Sequence, residues 1–547
     1  MSFQSYTFLF ALLPVSVAGW WLLNWRGHGR LAQGFLLVVS LAFYGKGNLA
    51  FLPLLLGSIL FNFLVGKAMG ALPRARKPLL VLGLLGNLGL LGYFKYANFF
   101  LDNLNWLLGT SIGALSLLLP LGISFFTFQQ IAFLVDRYRG DPADYTLLEY
   151  ACFVSFFPCV TSGPIAFHDE VIPQMRAVQG KGPSAQGIAE GLWLFSLGIW
   201  KKVIVAEAFG GGADWGWANL PALNSTTALA VTLSYTLQLY FDFSGYTDMA
   251  RGIGKMLGVT LPENFDVPYQ ALTIRGFWKG WHMTMTRFFT RYLYIPLGGS
   301  RRGLPRTCVN TLVIFLASGL WHGADWSFVV WGGLHGIAMV ADRLLGSRLD
   351  RLHPALSWAL TFGYVNFCWI FFRAGSVREA LAMCRAIARC AFGPLAEEFT
   401  TSFQMPEITW IGRYLEIDMA RLALLMFLLF VVGSMFFCLQ ETPVARRKHR
   451  MTGRRGVLAG ILLFWAVISL TGVSRFIYSN FSEGETFGAQ TISETVFCGL
   501  SGADGLVCRD NLCGGPLLSL PWPSGGTSPL APGWAVSKRG GGGKSGL

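Results

Sequence analysis

Apolar stretches recur from one end of the chain to the other, and short segments rich in arginine and lysine separate them. A bilayer span needs about 20 mainly apolar residues, and several stretches are shorter. Short helices of this kind are tilted, broken or re-entrant, and a bilayer tolerates them only where they are buried in protein or line a wet cavity. The pattern predicts an all-α polytopic membrane bundle with an internal cavity and helices over Phe8–Leu23, Leu31–Tyr44, Leu49–Val65, Pro78–Phe94, Ile112–Leu134, Tyr150–Val160, Ile188–Ala208, Thr226–Tyr240, Val309–Leu320, Ser327–Ala341, Ala355–Phe372, Leu422–Cys438 and Val457–Leu470.

The composition supports a membrane protein and excludes an ordinary soluble domain. Of the 547 residues, 53% are hydrophobic and 13% are charged, and the mean hydropathy is +0.49. The net charge of +14 comes from clusters beside apolar stretches, so we predict no nucleic-acid binding. Such clusters are held in the cytoplasm, which places the amino terminus outside. They are Arg26 with Arg30, then Arg74, Arg76 and Lys77, then Arg137 with Arg139, and Arg446 to Arg450.

The chain divides near residue 481 into a membrane domain and a tail. Residues 1–481 form the predicted transmembrane domain, whose first stretch lacks the features of a signal peptide and is expected to be retained as a helix. Residues 482–547 are rich in Gly, Pro and Ser and are predicted to be disordered and dispensable. Three unevenly spaced thiols, Cys498, Cys508 and Cys513, are a weak signal for metal binding or oxidative pairing, so we predict no bound metal and keep both as alternatives. Recruitment of a partner through these thiols is a further alternative.

A run dense in aromatic and basic residues lies between Tyr240 and Val309 and is predicted to lie in the membrane interface. Most of its basic side chains are expected to reach lipid phosphate, and an anionic ligand is the alternative. They are Arg275, Lys279, Arg287, Arg291, Arg301, Arg302 and Arg306.

Three histidines in or beside apolar stretches are the candidates for chemistry. His322 directly follows one stretch, His335 lies inside the next, and His282 lies in the aromatic and basic run. Ionisable side chains inside a membrane are costly and mark functional sites, although a neutral histidine bonded to a carbonyl is the alternative for each. On one continuous helix His335 would be turned roughly 220° from His322. The glycines around them favour a break or close helix packing, which would let the two converge.

A second polar segment, from Asp242 to Asp248, follows the apolar stretch that ends at Tyr240. We predict that Asp248 caps a helix, since a helix-like pattern follows it. For Asp242 two roles remain open, which are orienting a histidine and capping a helix.

Motifs of several other enzyme classes do not accompany the three histidines. No His-x-x-x-His, Cys-x-x-Cys, Gly-x-Ser-x-Gly or Gly-Lys-Thr element lies around them. Zinc hydrolase, serine hydrolase and nucleotide-driven pump functions therefore lose support. The chain also shows no internal repeat, which disfavours a transporter built from inverted halves.

Several runs of residues resemble the membrane-bound O-acyltransferase family, and within it the membrane subunits of bacterial alginate O-acetyltransferases. The likeness extends over residues 1–481. The family implies a many-helix bundle around a tunnel in which a cytoplasmic acyl thioester meets an acceptor from the other side. The runs are Leu13-Pro14, Ser162-Gly163-Pro164-Ile165, Pro262-Glu263-Asn264-Phe265, Phe277-Trp278, Trp281-His282-Met283-Thr284, Tyr292-Leu293-Tyr294-Ile295-Pro296-Leu297-Gly298-Gly299, Gly319-Leu320-Trp321-His322-Gly323 and Phe476-Ile477-Tyr478.

The resemblance assigns roles to individual residues. His322 occupies the position of the family's essential histidine and is expected to be the general base, a task that suits an imidazole. His282 is expected to orient substrate or stabilise the oxyanion, with no covalent enzyme intermediate. At Thr290-Arg291 relatives usually carry Arg-Asp, which leaves the local ion pairing open. The residues expected to bind substrate or support the site are His335, Asp242, Trp281, Trp321 and Arg287.

The resemblance also implies the reaction and its setting. We expect an O-acyltransferase of the bacterial inner membrane that moves acetyl groups, without a bound cofactor, from acetyl-CoA to an exported polysaccharide such as alginate. Periplasmic acetyltransferase proteins are the expected partners, together with membrane lipids. D-alanyl transfer and the acylation of lipid or protein are alternatives within the class. A polymer or proton transporter, or an export scaffold, is the alternative outside it.

Overall fold

The fold is helical throughout the computed structural model, which describes residues 1–349, 351–442 and 451–470. These ranges contain no β-strand. The predicted tail, the Phe476–Tyr478 run and the Arg446 to Arg450 cluster lie outside them. The α-helices are α1 Leu13–Trp25, α2 Gly29–Gly45, α3 Leu52–Ala71, α4 Arg76–Leu91, α5 Ala97–Leu108, α6 Ile123–Tyr138, α7 Leu147–Ser155, α8 His168–Ala177, α9 Ala185–Trp200, α10 Glu207–Ala218, α11 Ser225–Met256, α12 Ile274–Gly280, α13 Met283–Phe289, α14 Gly303–His322, α15 Trp326–Leu349, α16 Pro354–Arg373, α17 Val377–Ala388, α18 Glu397–Thr401, α19 Pro406–Tyr414, α20 Met419–Gln440 and α21 Gly453–Ile468.

Seven helical runs among the described residues are long and apolar enough to cross a membrane. Each of them overlaps one of the predicted stretches, so the all-α polytopic prediction is confirmed. The shorter helix α2 is also apolar. The seven are Phe8–Trp25, Leu49–Ala71, Pro73–Leu108, Gly303–His322, Trp326–Gly346, Pro354–Arg373 and Met419–Gln440.

The predicted stretch Ile112–Leu134 is wrong as a single helix. Residues 110–120 form no helix, and α6 begins only at Ile123. The break lies at Gly122, where φ is +72° and an added Cβ would meet the carbonyl oxygen of Val160 at 2.1 Å. Only glycine fits this conformation and this contact. Apolar composition alone does not reveal such a break, because it is set by a distant segment.

Helix α11 is 32 residues long, and most of its residues are buried. The side chain of Asn224 caps its start by accepting the N–H of Thr227 at 2.8 Å. Asp248 therefore lies inside a continuous helix, and the prediction that it caps one is wrong. Its carboxylate instead pairs with the ammonium of Lys201 at 2.8 Å. A capping side chain must precede a helix, and this helix begins more than six turns earlier than the local pattern indicates.

Helices α14 and α15 form an antiparallel hairpin that carries two of the candidate histidines. A Cβ on Gly319 would meet the carbonyl oxygen of Phe328 at 2.3 Å, and one on Gly332 would meet that of Phe315 at 2.4 Å. The two backbones are therefore in direct contact, as small residues permit between membrane helices. The chain leaves α14 at Gly323, whose extended φ and ψ end the helix.

Candidate active site

His322 is the last residue of α14 and is 4% exposed. Its Nδ1 lies 2.7 Å from the carbonyl oxygen of Ser318, one turn earlier in the same helix. A carbonyl oxygen can only accept a hydrogen bond, so the proton of the neutral imidazole is on Nδ1. The lone pair, which is the basic site, is therefore on Nε2.

His282 lies between α12 and α13 and has a φ of +45°, which is uncommon for a residue with a side chain. Its Nδ1 is 3.0 Å from Oδ1 of Asn264. The same oxygen accepts the N–H and the hydroxyl of Thr284 at 3.2 and 2.9 Å, which identifies it as the amide oxygen. His282 therefore also carries its proton on Nδ1 and its lone pair on Nε2.

The imidazoles of His282 and His322 are neighbours. Their ring centroids are 6.3 Å apart, and the ring planes are inclined at 75°. The indole of Trp321 contacts both rings, at 5.9 Å from His282 and 4.8 Å from His322. The fold thus brings the two residues predicted to be catalytic into one site, together with one of the tryptophans predicted to support them.

His335 reaches the same site from α15, but its protonation differs. The indole of Trp331 lies against both His322 and His335, with centroid distances of 4.9 and 5.1 Å. The two histidines of the hairpin therefore converge, as expected if the helix breaks between them. The indole N–H of Trp278 donates to Nδ1 of His335 at 3.2 Å. Neutral His335 thus carries its proton on Nε2, and its lone pair already accepts a hydrogen bond.

Two other predicted site residues, Trp281 and Asp242, make packing and ion-pair contacts in the protein interior. The indole of Trp281 is buried and packs on that of Trp369, with a centroid distance of 5.0 Å. Asp242 lies in the interior of α11, so it caps no helix, and its carboxylate pairs with Lys202 at 2.6 Å. The two catalytic candidates bond through Nδ1 to an amide and a carbonyl oxygen. Neither of these Nδ1 bonds goes to Asp242.

Three of the seven basic residues of the aromatic run form ion pairs. Arg287 donates to Oε2 of Glu170 at 2.9 Å, and it also contacts Oε1 of that carboxylate. Arg291 lies 2.9 Å from the carboxylate of Asp136, which decides the ion pairing left open at this position. Arg287 therefore binds an acidic side chain of α8, and Arg291 binds one of α6. Arg275 pairs with Asp342 at 3.5 Å, while Lys279, Arg301, Arg302 and Arg306 are exposed.

A cavity of about 220 Å³ lies between α12, α13, α14 and α15. Ser318 and Trp278, which hold His322 and His335, are among its lining residues. Its wall is mainly apolar and aromatic, and Ser300 and the exposed Arg343 add polar groups. A cavity of this composition suits a ligand with an apolar or amide chain and a charged end.

A family model described as MBOAT, membrane-bound O-acyltransferase family, matches residues 137–377. The chain is also 37% identical over 519 residues to the peptidoglycan O-acetyltransferase of Helicobacter pylori, a match that covers 88% of this chain and 97% of that relative. The chain belongs to the membrane-bound O-acyltransferase family. It is therefore an O-acyltransferase, and the matched range contains every predicted site residue.

Two further relatives show the range of acyl transfer within the family. The chain is 39% identical over 399 residues to a probable alginate O-acetylase of Pseudomonas aeruginosa, which covers 71% of this chain and 75% of the relative. It is 27% identical over 247 residues to a teichoic acid D-alanyltransferase of Streptococcus thermophilus, which covers 42% of this chain and 58% of the relative. The names of the three relatives give peptidoglycan, alginate and teichoic acid as the molecules that are acylated.

Sequence analysis of this acyltransferase missed two residues that contact the histidines. Asn264 stands out in the sequence only as part of a family-like run, and its buried amide oxygen holds His282. Lys95 lies in a membrane-spanning run and contacts the carbonyls of Trp321 and His322. A lysine in an apolar stretch is a signal that could have identified Lys95. No local pattern identifies the carbonyl of Ser318 as the partner of His322.

Replacing Asp242 by leucine is expected to lower the free energy of unfolding by about 3–5 kcal/mol, because Lys202 would lose its nearer carboxylate in a buried site. Glu207, at 3.2 Å from the Lys202 ammonium, compensates only in part. Thermal unfolding of the purified protein in detergent measures the effect. The double variant Lys202→Met/Asp242→Leu should be more stable than the single variant. A single variant of normal stability that loses only acyl transfer would instead place Asp242 in the reaction.

Proposed function

We propose that this acyltransferase moves acetyl groups from cytoplasmic acetyl-CoA to an exported polysaccharide, in the inner membrane of a bacterium. The observation that carries the proposal is the pair of buried imidazoles, His282 and His322, each with its proton fixed on Nδ1 and its basic nitrogen at Nε2. Transfer from a thioester to a hydroxyl needs a base for the hydroxyl proton and exclusion of water. The aromatic rings around the two histidines supply the second condition.

His322 is the base in this proposal, and His282 orients the acceptor by accepting a hydrogen bond from a second hydroxyl group of the polysaccharide. Of the two roles expected for His282, its tautomer favours this one, because Nε2 with a lone pair accepts a hydrogen bond and cannot donate one to an oxyanion. Nε2 of His322 takes the hydroxyl proton while the hydroxyl oxygen forms a bond to the thioester carbonyl carbon. The carbon–sulfur bond then breaks, and the proton passes from His322 to the leaving thiolate. The imidazole ends the cycle neutral.

The cavity lined by Trp278 and Ser318 is the proposed binding site of the acyl donor. Arg343 lines it, and the exposed residues Arg301 and Arg302 follow Ser300, another lining residue. Basic residues at helix ends are held on the cytoplasmic side, where acetyl-CoA is found. The apolar wall suits the pantetheine chain, and arginine suits the phosphates of the coenzyme. The acetyl group would then lie toward Ser318 and toward His322, whose Nδ1 is held by the Ser318 carbonyl.

Replacing Arg343 by alanine is expected to raise the KM for acetyl-CoA about tenfold, since a charge-assisted hydrogen bond is worth roughly 1.5–3 kcal/mol. The kcat should change by less than about threefold, because the interaction is the same in ground and transition states. Initial rates of thiol release from acetyl-CoA by the purified protein in proteoliposomes, with alginate or peptidoglycan oligosaccharides supplied as the acceptor, give both constants. Thiol release also separates the enzyme from a transporter or scaffold, which would show none.

The matched control is Arg378→Ala, which removes an exposed arginine that does not line the cavity. Its KM should equal that of the parent protein, and Arg343→Lys should be intermediate because it keeps the charge but loses the planar donor fork. Equal KM values for Arg343→Ala and Arg378→Ala would show that the cavity does not bind the acyl donor.

The acceptor and the partners are tested in cells. The names of relatives point to peptidoglycan and alginate, so the O-acetyl content of both the cell-wall glycan and any exopolysaccharide should be measured in a deletion strain. Loss of acetyl groups from one of them identifies the acceptor, and loss from neither contradicts the proposal. We propose that an exported acetyltransferase completes the reaction. Full polymer acetylation in a host that expresses this chain alone would contradict that partner.

A further inference from the structure

The last four carbonyl groups of α14 are all hydrogen-bonded. The last four carbonyls of a helix usually lack a partner within it, so other groups must supply one. Here the carbonyl of Gly319 accepts the N–H of Gly323 at 3.3 Å. The carbonyl of Leu320 accepts the hydroxyl of Tyr96 at 2.6 Å. The last two carbonyls, at positions 321 and 322, accept the ammonium of Lys95.

Lys95 uses all three of its ammonium donors near His322. Besides Trp321 and His322, the ammonium lies 3.4 Å from the hydroxyl of Ser124. A lysine ammonium has three donors and no acceptor, so these three oxygens satisfy it completely. It also carries a positive charge to the carboxyl end of a helix, where the helix dipole favours a cation. An ionisable side chain within an apolar run is energetically costly, and such residues usually mark functional positions.

The segment that carries Lys95 and Tyr96 is irregular. Residues Gly92–Tyr96 form a π-helical turn between α4 and α5. Such turns within α-helices frequently mark functional sites. Further along the same run, Asn103 accepts the indole N–H of Trp326 at 2.9 Å, just beyond the turn that follows His322. The run therefore contacts the chain both at the end of α14 and at the start of α15.

We propose that Lys95 and Tyr96 are positioning residues that hold His322 in its catalytic place. His322 is a terminal helical residue, and helix ends fray unless they are capped. Its imidazole is oriented by the carbonyl of Ser318, one turn back, so movement of the last turn moves Nε2 directly. Lys95 and Tyr96 fix that turn from a different helix. The proposal rests on the proposed function, because it assigns an effect to the base that the function requires.

Substitutions of Lys95 and Tyr96 are expected to lower kcat without changing the KM for acetyl-CoA. Displacing a catalytic group by about 1 Å can lower the rate about 10²-fold, so Lys95→Met should lower kcat by about that factor. Lys95→Arg, which keeps the charge and the donors, should recover much of the loss. Tyr96→Phe deletes one hydroxyl and should lower kcat about fivefold by the same displacement. Loss of packing alone would not be restored by arginine.

The matched control is Lys67→Met, which removes a lysine that pairs with the exposed carboxylate of Asp144. It should leave both constants unchanged. The variants are purified in detergent, their thermal unfolding is recorded, and thiol release from acetyl-CoA is measured. If Lys95→Met does not accumulate, Tyr96→Phe decides: a kcat within twofold of the parent overturns the proposal.

A double-variant comparison shows whether Lys95 acts through His322. In the His322→Ala background, Lys95→Met should lower the residual rate less than about twofold, because the group that it positions is gone. An undiminished loss in that background overturns the proposal. A folded Lys95→Met protein with normal kcat overturns it as well, while leaving the acyltransferase proposal intact. Normal activity of His322→Ala itself would instead overturn the proposed function.

Discussion

Replacing His322 by alanine is expected to lower the rate of acyl transfer by about 10²–10⁴, the usual contribution of a general base. The imidazole is buried, its proton is fixed on Nδ1 by the carbonyl of Ser318, and its basic Nε2 has no substitute in an alanine variant. The fold should survive, because the carbonyls that end α14 keep their bonds to Lys95 and Tyr96. Polymer O-acetyl content per amount of membrane-inserted protein measures the loss in cells.

The control for this variant is His28→Ala, which removes an exposed histidine at the start of α2. Both variants should be present in the membrane at equal amounts, and only His322→Ala should fail to acetylate. The purified proteins should show the same difference in thiol release from acetyl-CoA. Near-normal acetylation by His322→Ala would show that this histidine is not the general base.

Replacing His282 by alanine is expected to lower kcat about 10²-fold, because the acceptor loses a hydrogen bond that orients it toward His322. His335→Ala is a well-matched comparison, since the two side chains are equally buried and the same atoms are removed. The lone pair of His335 is used by the indole N–H of Trp278, so its loss should affect the packing of that indole and lower kcat less than about tenfold.

Thermal unfolding separates the two effects. Both variants leave a cavity and an unpaired neighbour, so both should unfold at a lower temperature than the parent protein. Only His282→Ala should also show the large loss of kcat. Replacing Asn264, whose oxygen holds Nδ1 of His282, by serine should resemble His282→Ala in kcat. A larger kcat loss for His335→Ala than for His282→Ala would reverse the assigned roles.

The rings around the histidines suit a site from which water is excluded. His322 contacts Trp321, Trp331 and Phe372 at centroid distances of 4.8, 4.9 and 5.3 Å. Water in such a site would hydrolyse the thioester in place of the acceptor. The wall is apolar apart from the indole N–H groups of Trp321 and Trp331. This environment fits acyl transfer better than a wet conduit for polymer or protons.

The sequence by itself determined the membrane character, the helical class and the main spans of this protein. Each of these depends on the composition of about 20 consecutive residues, which is a local property. The sequence also identified the three histidines, because an ionisable side chain in an apolar stretch is costly wherever the chain folds. The resemblance in the motifs then gave the family, which the comparisons confirm.

Only the tertiary structure decided which nitrogen of each histidine is basic and which residues hold it. Asn264 and His282 are 18 positions apart, Trp278 and His335 are 57 apart, and Lys95 and His322 are 227 apart. Hydrogen bonds of this kind depend on atoms that the fold brings within about 3 Å, and no periodicity in the sequence records such distances. The same reason applies to Gly122, whose contact with a distant carbonyl ends a stretch that composition alone would continue as a helix.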